Sequence, residues 1–273
     1  MLFPFREIGK ERPFSDDSEE KRVMERSTHI LKLESVDSTN TYAADHFDTL
    51  NDGTLVVAET QTSGHGRLGR KWHSPRGNIY ASFVMKDLFG EPFHATMVSS
   101  LAVLSVLNDL VPGHGAYIKW PNDIFIEDRK LSGVLCEGVL RKGKLAGIIC
   151  GIGVNVNLPE EELAGISQPA ISLLTLTKCK INLKIFAEKL AVYLNWYYII
   201  GINDRERLFS LWREENRLIG ERVQLLPPSG EAFEAVIRDI SADGKLQIEE
   251  ANGKRREFAC GDVKILRGGR DGA

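Results

Sequence analysis

The stretch SGHGRLGRKW, residues 63–72, decides between two fold classes. Its glycines satisfy G-x-G-x-x-G, a pattern that in dinucleotide-binding proteins joins a strand to a helix whose N-terminus meets the pyrophosphate. The strand is present, since TLVVAET at 54–60 is apolar and β-branched. The helix is absent, because residues 71–78 contain proline and glycine and lead into another strand. The sequence therefore argues against a dinucleotide-binding fold, and the loop does not match the P-loop pattern either.

The same loop places cations beside glycines. Arg67 and Arg70 carry forked guanidinium donors, which suit carboxylate and phosphate groups, and the glycines let a ligand approach the backbone closely. His65 stands between the first two glycines. Taken alone, the loop has an alternative interpretation as a solvated basic segment. The motifs around it, described below, favour an anion site.

Composition restricts the class of protein. The chain has 273 residues, of which 42% are hydrophobic and 27% charged, as in a soluble globular protein. Its formal net charge of −3 supplies no overall positive field for nucleic acid, so anion recognition has to be local. The four cysteines form no C-x-x-C pair and no zinc-like spacing with histidine. We therefore expect free thiols and no metal site built from protein motifs.

Targeting signals are not evident in the sequence. The first 26 residues are rich in acids and lack an apolar segment, which argues against a signal peptide. The most apolar helical candidate, TMVSSLAVLSVL at 96–107, has about 12 residues, too few to span a bilayer. We therefore expect a cytoplasmic protein without membrane contact.

Hydrophobic periodicity predicts three parts. Residues 1–28 are polar and irregular and are expected to form an N-terminal arm. Residues 29–218 alternate strands with helices, including a core helix over 93–110, which predicts an α+β domain. In residues 219–270, Pro-Pro, Ser-Gly, Asp-Gly and Asn-Gly turns separate four or five short strands, which predicts a small β-barrel. The R-K-G-K turn at 141–144 predicts a hairpin within the larger domain.

Four further motifs bring polar groups to the ends of predicted elements. KWPND at 119–123 combines a cation, an indole, a rigid proline and two polar side chains. KLSG at 130–133 precedes the apolar strand VLCEGVL, which favours a lysine facing a pocket over a solvated one. GIGVNVN at 151–157 offers amides that either complete a turn or face a ligand. DSTN at 37–40 is either an ordinary N-cap or a neutral polar site for a urea, amide or carboxylate group.

The glycine loop and these motifs, in this order and spacing, resemble the biotin–protein ligase family, whose loop typically reads GRGRxGRxW. The resemblance is close over about residues 30–160 and looser over 220–267. It implies a mixed β-sheet catalytic domain packed with helices, like that of class II synthetases, followed by an SH3-like barrel. It also implies two half-reactions. Biotin and Mg·ATP form biotinyl-5′-AMP and pyrophosphate, and the acyl group then passes to a lysine of a biotin carboxyl carrier protein.

By matching position, the resemblance assigns roles to residues. Arg67, Lys130 and Asp123 are the expected catalytic residues. The two cations would screen the carboxylate and the α-phosphate as they meet, and Asp123 would assist deprotonation of the acceptor lysine. The residues expected to bind biotin are Ser38, Thr39, Asn40, Gln61, Gly64, His65, Gly66, Arg67, Lys130 and Gly133. Those expected to bind ATP are Arg67, Arg70, Trp72, Lys119, Asn122, Lys130, Asn155 and Arg267. The Mg²⁺ ion is expected on the phosphates rather than on a protein motif.

Two features depart from the family pattern. His65 stands where the family usually has arginine, so an imidazole with one donor replaces a guanidinium, and we expect biotin affinity to depend on His65 less than on Arg67. About 28 polar residues precede the predicted catalytic domain, too few for the winged helix-turn-helix with which some members repress transcription. We therefore expect no operator binding, while open sheet edges allow a homodimer.

Three alternatives stay open at this point. A lipoate–protein ligase shares the adenylation chemistry but is not expected to carry KWPND with this form of glycine loop. A non-catalytic sensor would bind biotin or its adenylate, although such a binder needs no site for an acceptor lysine. The third alternative is a ligase disabled at His65. Dependence of ATP–pyrophosphate exchange on lipoate rather than biotin would favour the first.

Overall fold

The computed structural model describes residues 29–87, 92–227 and 230–266, within which the chain forms two β-sheets and six α-helices. The predicted arm at 1–28 lies outside the described residues. The strands are β1 (Ile30–Val36), β2 (Leu55–Gln61), β3 (Ile79–Met85), β4 (Ala116–Lys119), β5 (Asp123–Ile126), β6 (Arg129–Arg141), β7 (Lys144–Val154), β8 (Arg222–Leu226), β9 (Phe233–Ile240), β10 (Leu246–Glu250), β11 (Arg255–Phe258) and β12 (Asp262–Ile265). The helices are α1 (Thr39–Asp45), α2 (Pro92–Leu110), α3 (Glu160–Leu163), α4 (Leu173–Thr177), α5 (Leu183–Asn203) and α6 (Arg205–Glu214).

The larger sheet has seven strands in the order β1-β2-β3-β7-β6-β5-β4. The β1 and β2 strands run parallel and all other neighbours are antiparallel, so the sheet is mixed, as expected. Every residue of β3 is buried because the strand lies between β2 and β7 with apolar groups packed on both faces. The predicted α+β class is confirmed.

The longest pair in this sheet is the hairpin of β6 and β7. At the predicted R-K-G-K turn, Lys142 and Gly143 have φ angles of 51° and 75°, the positive pair that a two-residue type I′ turn requires. The hairpin places Gly133 opposite Gly153 and Leu135 opposite Gly151. Three glycines thus lie at paired positions near one end of the hairpin, and the next subsection shows what covers them.

Helix α2 is the centre of the core. Among the described residues, one helix is long and apolar enough to cross a membrane by length and composition, and it is α2. The core helix predicted over 93–110 is confirmed, and its 19 residues extend beyond the apolar stretch 96–107 at both ends. It packs against α5, α6 and the β6–β7 hairpin, and 72% of its most apolar window is buried. The structure therefore uses α2 as a core helix.

The smaller sheet has five strands in the order β11-β10-β9-β8-β12, all antiparallel. It shares one continuous hydrophobic core with the larger sheet. The contact centres on the turn between β9 and β10, where the Trp120 indole Nε1 donates to the Gly244 carbonyl at 2.8 Å. Gly244 has a φ of +83°, and a Cβ there would lie 2.4 Å from the Phe93 ring of α2. The motif KWPND therefore anchors the smaller sheet as well as bordering the site.

Candidate active site

A cavity of about 870 Å³ lies between the glycine loop (63–72), the paired ends of β6 and β7, and the near end of the smaller sheet. Most of the predicted site residues line it: Ser38, Thr39, Asn40, Gln61, His65, Gly66, Arg67, Arg70, Trp72, Lys119, Asn122, Asp123, Lys130 and Gly133. Sequence positions from 38 to 133 thus converge on one space.

The sheet floor of the cavity, formed by residues 130–135 of β6 and 151–153 of β7, is shaped by glycine. A Cβ on Gly153 would lie 2.4–2.6 Å from the Trp72 indole, and one on Gly133 would lie 3.2 Å from it. The indole therefore packs directly on the two strands, in space that only this pair of glycines leaves open. Trp72 also lines the cavity.

Lys130 and Asp123 form an ion pair beside this indole. The Lys130 Nζ lies 2.7 Å from Asp123 Oδ1 and 5.4 Å from the centre of the Trp72 ring, and the two charged side chains are only 14% and 22% exposed. A charge pair this sheltered is screened less than a surface pair. Lys130 is therefore a positioned cation, and Asp123 is the carboxylate held against it.

A hydrogen-bond network of the uncharged side chains Thr39, Asn40 and Gln61 reaches β6 at Leu135, two residues beyond Gly133. Gln61 Oε1 accepts from the Thr39 backbone N–H at 2.8 Å and from the Thr39 hydroxyl at 3.1 Å. Ser82 donates to Asn40 Oδ1 at 2.5 Å, so the orientation of this amide is determined. Ser38 is the N-cap residue of α1, but its side chain makes no capping bond within the described chain, and it is buried against the cavity. Ser38, Thr39 and Asn40 of the motif DSTN therefore line the cavity, and the Ser38 side chain does not cap the helix.

The glycine loop is held down by side chains. Arg67 Nη1 donates to Asn122 Oδ1 at 3.0 Å, and Asn122 Nδ2 in turn donates to the Val134 carbonyl of β6 at 2.5 Å. Arg67 lies in a single 3₁₀ turn whose next residue, Leu68, has a φ of 58° and is 74% exposed. The hydrogen bond to Asn122 therefore holds the Arg67 guanidinium at the cavity, while the neighbouring Leu68 is exposed.

Arg70 reaches the smaller sheet. Its guanidinium forms a bidentate ion pair with Asp262 at the start of β12. The hydrogen bond from Arg70 lowers the pKa of Asp262, and the same bond raises the pKa of Arg70. The loop is thus tied to both sheets, and Arg70 is committed to a carboxylate in the absence of any other anion.

Lys119 provides a further cation at the base of the cavity. Its Nζ lies 4.2 Å from the centre of the Phe125 ring. Burial lowers its pKa, while the nearby carboxylates of Asp123 and Asp262 act in the opposite direction. A bound polyanion would favour its charged form in the same way as these carboxylates.

Similarity to known proteins agrees with this geometry. Residues 33–155 match the biotin/lipoate A/B protein ligase family, and residues 218–266 match the biotin protein ligase C-terminal domain. The bifunctional ligase/repressor BirA of Salmonella typhimurium is 32% identical over 247 residues, which cover 88% of this chain and 75% of that protein. The chain belongs to the biotin–protein ligase family.

Two further members of the biotin–protein ligase family extend the comparison. The biotin–[acetyl-CoA-carboxylase] ligase of Mycobacterium tuberculosis is 31% identical over 79% of this chain and 80% of that protein. The biotin protein ligase of Aquifex aeolicus, solved in complex with biotin and ATP, has a TM-score of 0.72 at 29% identity and covers 88% of this chain and 99% of that one. Membership confirms the resemblance read from the motifs.

Two residues expected from the family pattern, Gly64 and Asn155, do not line the cavity, and a third lies outside the described residues. Gly64 lies behind the cavity, where a Cβ would meet Ser74 Oγ at 2.6 Å, so it serves close packing of the loop. Asn155 is buried and donates to the Ile171 carbonyl at 3.3 Å, which makes its amide part of the support behind Lys130 rather than of the lining. Arg267 lies outside the described residues.

The sequence analysis missed two acidic residues. Asp262 borders the cavity from the smaller sheet, and Glu137 on β6 accepts a 2.6 Å hydrogen bond from Asn40 Nδ2. Glu137 is the one charged residue in the strand segment VLCEGVL, but its side chain is half-exposed, so the sequence alone gave no reason to expect a partner for it. Nothing local marks Asp262, whose partner Arg70 is 192 positions away.

The cysteines and the potential metal ligands among the described residues form no metal site. Within the described residues there is no cluster of three or more His, Cys, Asp or Glu side chains able to hold a metal ion. Cys136 and Cys150 face each other across β6 and β7 with their sulfurs 2.9 Å apart, and burial raises the pKa of Cys150. Cys179 and Cys260 are exposed, and Cys260 borders the cavity.

Proposed function

We propose that this chain is an ATP-dependent biotin–protein ligase that carries out both half-reactions in the cavity under the glycine loop. The observation that carries the proposal is the order of groups along β6. Along β6, the Lys130–Asp123 ion pair comes first, and the indole of Trp72 lies next, over Gly133. The uncharged side chains around Asn40 follow at Leu135, about 7 Å beyond Gly133. An acyl-adenylate has the same order, from charged phosphate to neutral ureido ring.

In the first half-reaction, a carboxylate oxygen of biotin attacks the α-phosphorus of ATP. The new O–P bond replaces the bond to the β-phosphate, and pyrophosphate leaves. Arg67, Lys119 and Lys130 line the cavity and offset the negative charge that gathers as the two anions meet. Mg²⁺ enters with the phosphates of the nucleotide. Thr39, Asn40 and Gln61 provide donors and acceptors for the uncharged ureido group.

In the second half-reaction, a lysine amine of the acceptor attacks the acyl carbon, the C–O bond to the phosphate breaks, and AMP leaves. The amine must lose a proton, and Asp123 is the carboxylate placed to receive it. Its present partner, Lys130, is drawn to the phosphate once the adenylate is bound, which frees Asp123 for the incoming amine. The glycine loop excludes water from the labile anhydride in the meantime.

The acceptor is a biotin-accepting domain of a carboxylase, by analogy with the named relatives. We propose in addition a cytoplasmic location and no operator binding; the net charge of −3 supports the second point. The edge strands β1 and β4 leave room for a homodimer. A mobility-shift assay tests the absence of operator binding, which specific retention of DNA would contradict. Sedimentation tests the homodimer.

The decisive experiment incubates the chain with biotin, Mg·ATP and a biotin carboxyl carrier domain, and measures the mass of the carrier. We expect one biotinyl group on one lysine, and none when ATP is omitted. Modification of the carrier only when lipoate replaces biotin in the incubation would assign the chain to the lipoate branch of the family. Tight biotin binding without ATP–pyrophosphate exchange would indicate a sensor.

A further inference from the structure

The Glu137 carboxylate touches both the sheet floor and the glycine loop. Its Oε2 accepts the 2.6 Å hydrogen bond from Asn40 Nδ2, and the same oxygen lies 3.7 Å from His65 Nε2. The Glu137 and His65 side chains are 48% and 36% exposed. One oxygen atom thus connects the amide of the predicted biotin pocket with the residue that replaces the family's arginine.

The Asn40 end of this connection is rigid. Ser82 holds the opposite end of the amide at 2.5 Å, and a Cβ on the neighbouring Gly151 would lie 2.5 Å from Asn40 Oδ1. The amide has no room to turn, so the Glu137 carboxylate has a fixed position relative to the floor while it keeps this hydrogen bond. A change in the contact with His65 then requires a movement of His65 or the loss of this hydrogen bond.

Within the described part of the chain, the carboxylate in ion-pair range of His65 is that of Glu137. The Nδ1 of His65 lies 3.3 Å from the Ser63 carbonyl, and the backbone of this histidine pairs with Lys71 within the loop. The charged side chains of the loop itself, Arg67, Arg70 and Lys71, are cations, and Glu137 is the carboxylate that β6 presents to it. A proton on the imidazole therefore turns a polar contact into an ion pair.

We propose that Glu137 is a positioning residue that couples closure of the glycine loop to the biotin pocket, and that His65 makes this coupling weaken as the pH rises. The inference rests on the proposed function. Histidine changes charge between about pH 5 and 8, whereas arginine stays charged throughout. The ion pair with Glu137 requires a proton on the His65 imidazole, whereas an arginine at this position would keep the pair without one.

The test measures biotin KM in ATP–pyrophosphate exchange, and biotin Kd by calorimetry, from about pH 6 to about pH 8. The ratio of wild-type KM to H65R KM is expected to rise with pH, by up to about fivefold, the range of an exposed ion pair. The ratio removes the effect of every other titrating group. The E137Q variant keeps an oxygen for Asn40 but loses the charge, so replacing His65 by arginine in that background should no longer change the pH profile.

The structure offers a matched control. His73 lies next to Trp72 and its Nε2 is 3.6 Å from Glu162 Oε2, with side chains 49% and 46% exposed, but neither residue borders the cavity. The H73R variant should keep the wild-type pH profile. The E137A variant, which also removes the acceptor for Asn40, should raise biotin KM at every pH.

Equal pH profiles for wild type, H65R and E137Q would overturn the inference, as would an H73R profile that changes as much as that of H65R. Failure of the proposed function gives a different result, since no variant would then show biotin-dependent exchange. Thermal unfolding of each variant identifies a folding defect, and the calorimetric Kd of any folded variant still decides the question without turnover.

Discussion

The sheet floor and the glycine loop form opposite walls of one cavity, but they are built in different ways. The floor is made of paired strands, with the Trp72 indole seated on Gly133 and Gly153 and the Asn40 amide held from both ends. The loop depends on side-chain contacts to Asn122, Asp262 and Glu137, which bridge long stretches of sequence. The difference indicates that the floor supplies geometry and that the loop supplies charge and closure.

The strongest test of the floor is the K130M substitution. Removing the cation leaves Asp123 without its partner and the developing phosphate charge unscreened, so we expect kcat for exchange to fall about 10²–10³-fold. The K189M variant is the control, because Lys189 lies 2.6 Å from Asp109 and these side chains are 15% and 10% exposed, away from the cavity. Both variants should lose stability in thermal unfolding, and only K130M should lose exchange. Equal exchange in the two would remove Lys130 from the chemistry.

The next test changes only the shape of the floor. In the G153A variant the new methyl group displaces the Trp72 indole, and a shift of about 1 Å in a reacting group can cost roughly 10²-fold in rate. The G138A variant is the control, since its methyl group would meet only the tip of the partly exposed Leu145, at 2.8 Å. ATP–pyrophosphate exchange and tryptophan fluorescence are measured for both variants. A G153A enzyme with normal ATP KM and kcat would show that the floor tolerates a displaced indole.

Closure of the loop can be followed at Cys260, which is exposed and borders the cavity. Biotin and ATP together should slow its alkylation roughly tenfold when about nine tenths of the chains hold ligand, because only the open fraction reacts. Cys179 is equally exposed but lies away from the cavity, so its rate should not change. Mass spectrometry of the labelled peptides measures both thiols. Equal rates at Cys260 with and without ligand would place the smaller sheet outside the closing movement.

The smallest effect is expected at the Arg70–Asp262 pair, since both side chains are about half exposed. Because the folded pKa of Asp262 is lowered, its contribution is present at neutral pH and is lost as the pH falls below about 4. The D262N variant should lower the free energy of unfolding at pH 7 by at most about 1 kcal/mol, less at acid pH.

Proteolysis of the glycine loop measures the effect of D262N on the loop separately from its effect on the free energy of unfolding. Trypsin should cut the loop of D262N faster than the loop of D239N, which breaks the comparable exposed pair between Asp239 and Arg213. If the two variants were cut at the same rate, the ion pair with Asp262 would have no part in holding the loop.

The contrast between the sheet floor and the glycine loop also explains which features could be predicted from the sequence. Period and turn chemistry identified the strands of the floor, the R-K-G-K hairpin and the core helix, because these features depend on neighbouring residues. The motifs also predicted which side chains meet in the cavity, since they end or begin those strands.

The remaining features of the site depend on contacts between residues that are far apart in the sequence. The polar face of α1 is completed by Ser82 and Glu137, and the loop by Asp262, and no local pattern shows that these residues meet. Asn155 illustrates the reverse case. Its motif gave two interpretations, a turn or a ligand contact, and the structure uses the amide to satisfy a backbone carbonyl next to the site.

The contact of Trp120 and Phe93 with the turn at Gly244 has a consequence for genetic dissection of this protein. A deletion that stops before 218 would uncover the Trp120 indole and the apolar residues that the smaller sheet shares with α2. Loss of activity in such a truncation would therefore follow from disruption of the core. It would not show whether the smaller sheet takes part in binding. Point substitutions at its rim, such as D262N, are the means by which the two effects can be told apart.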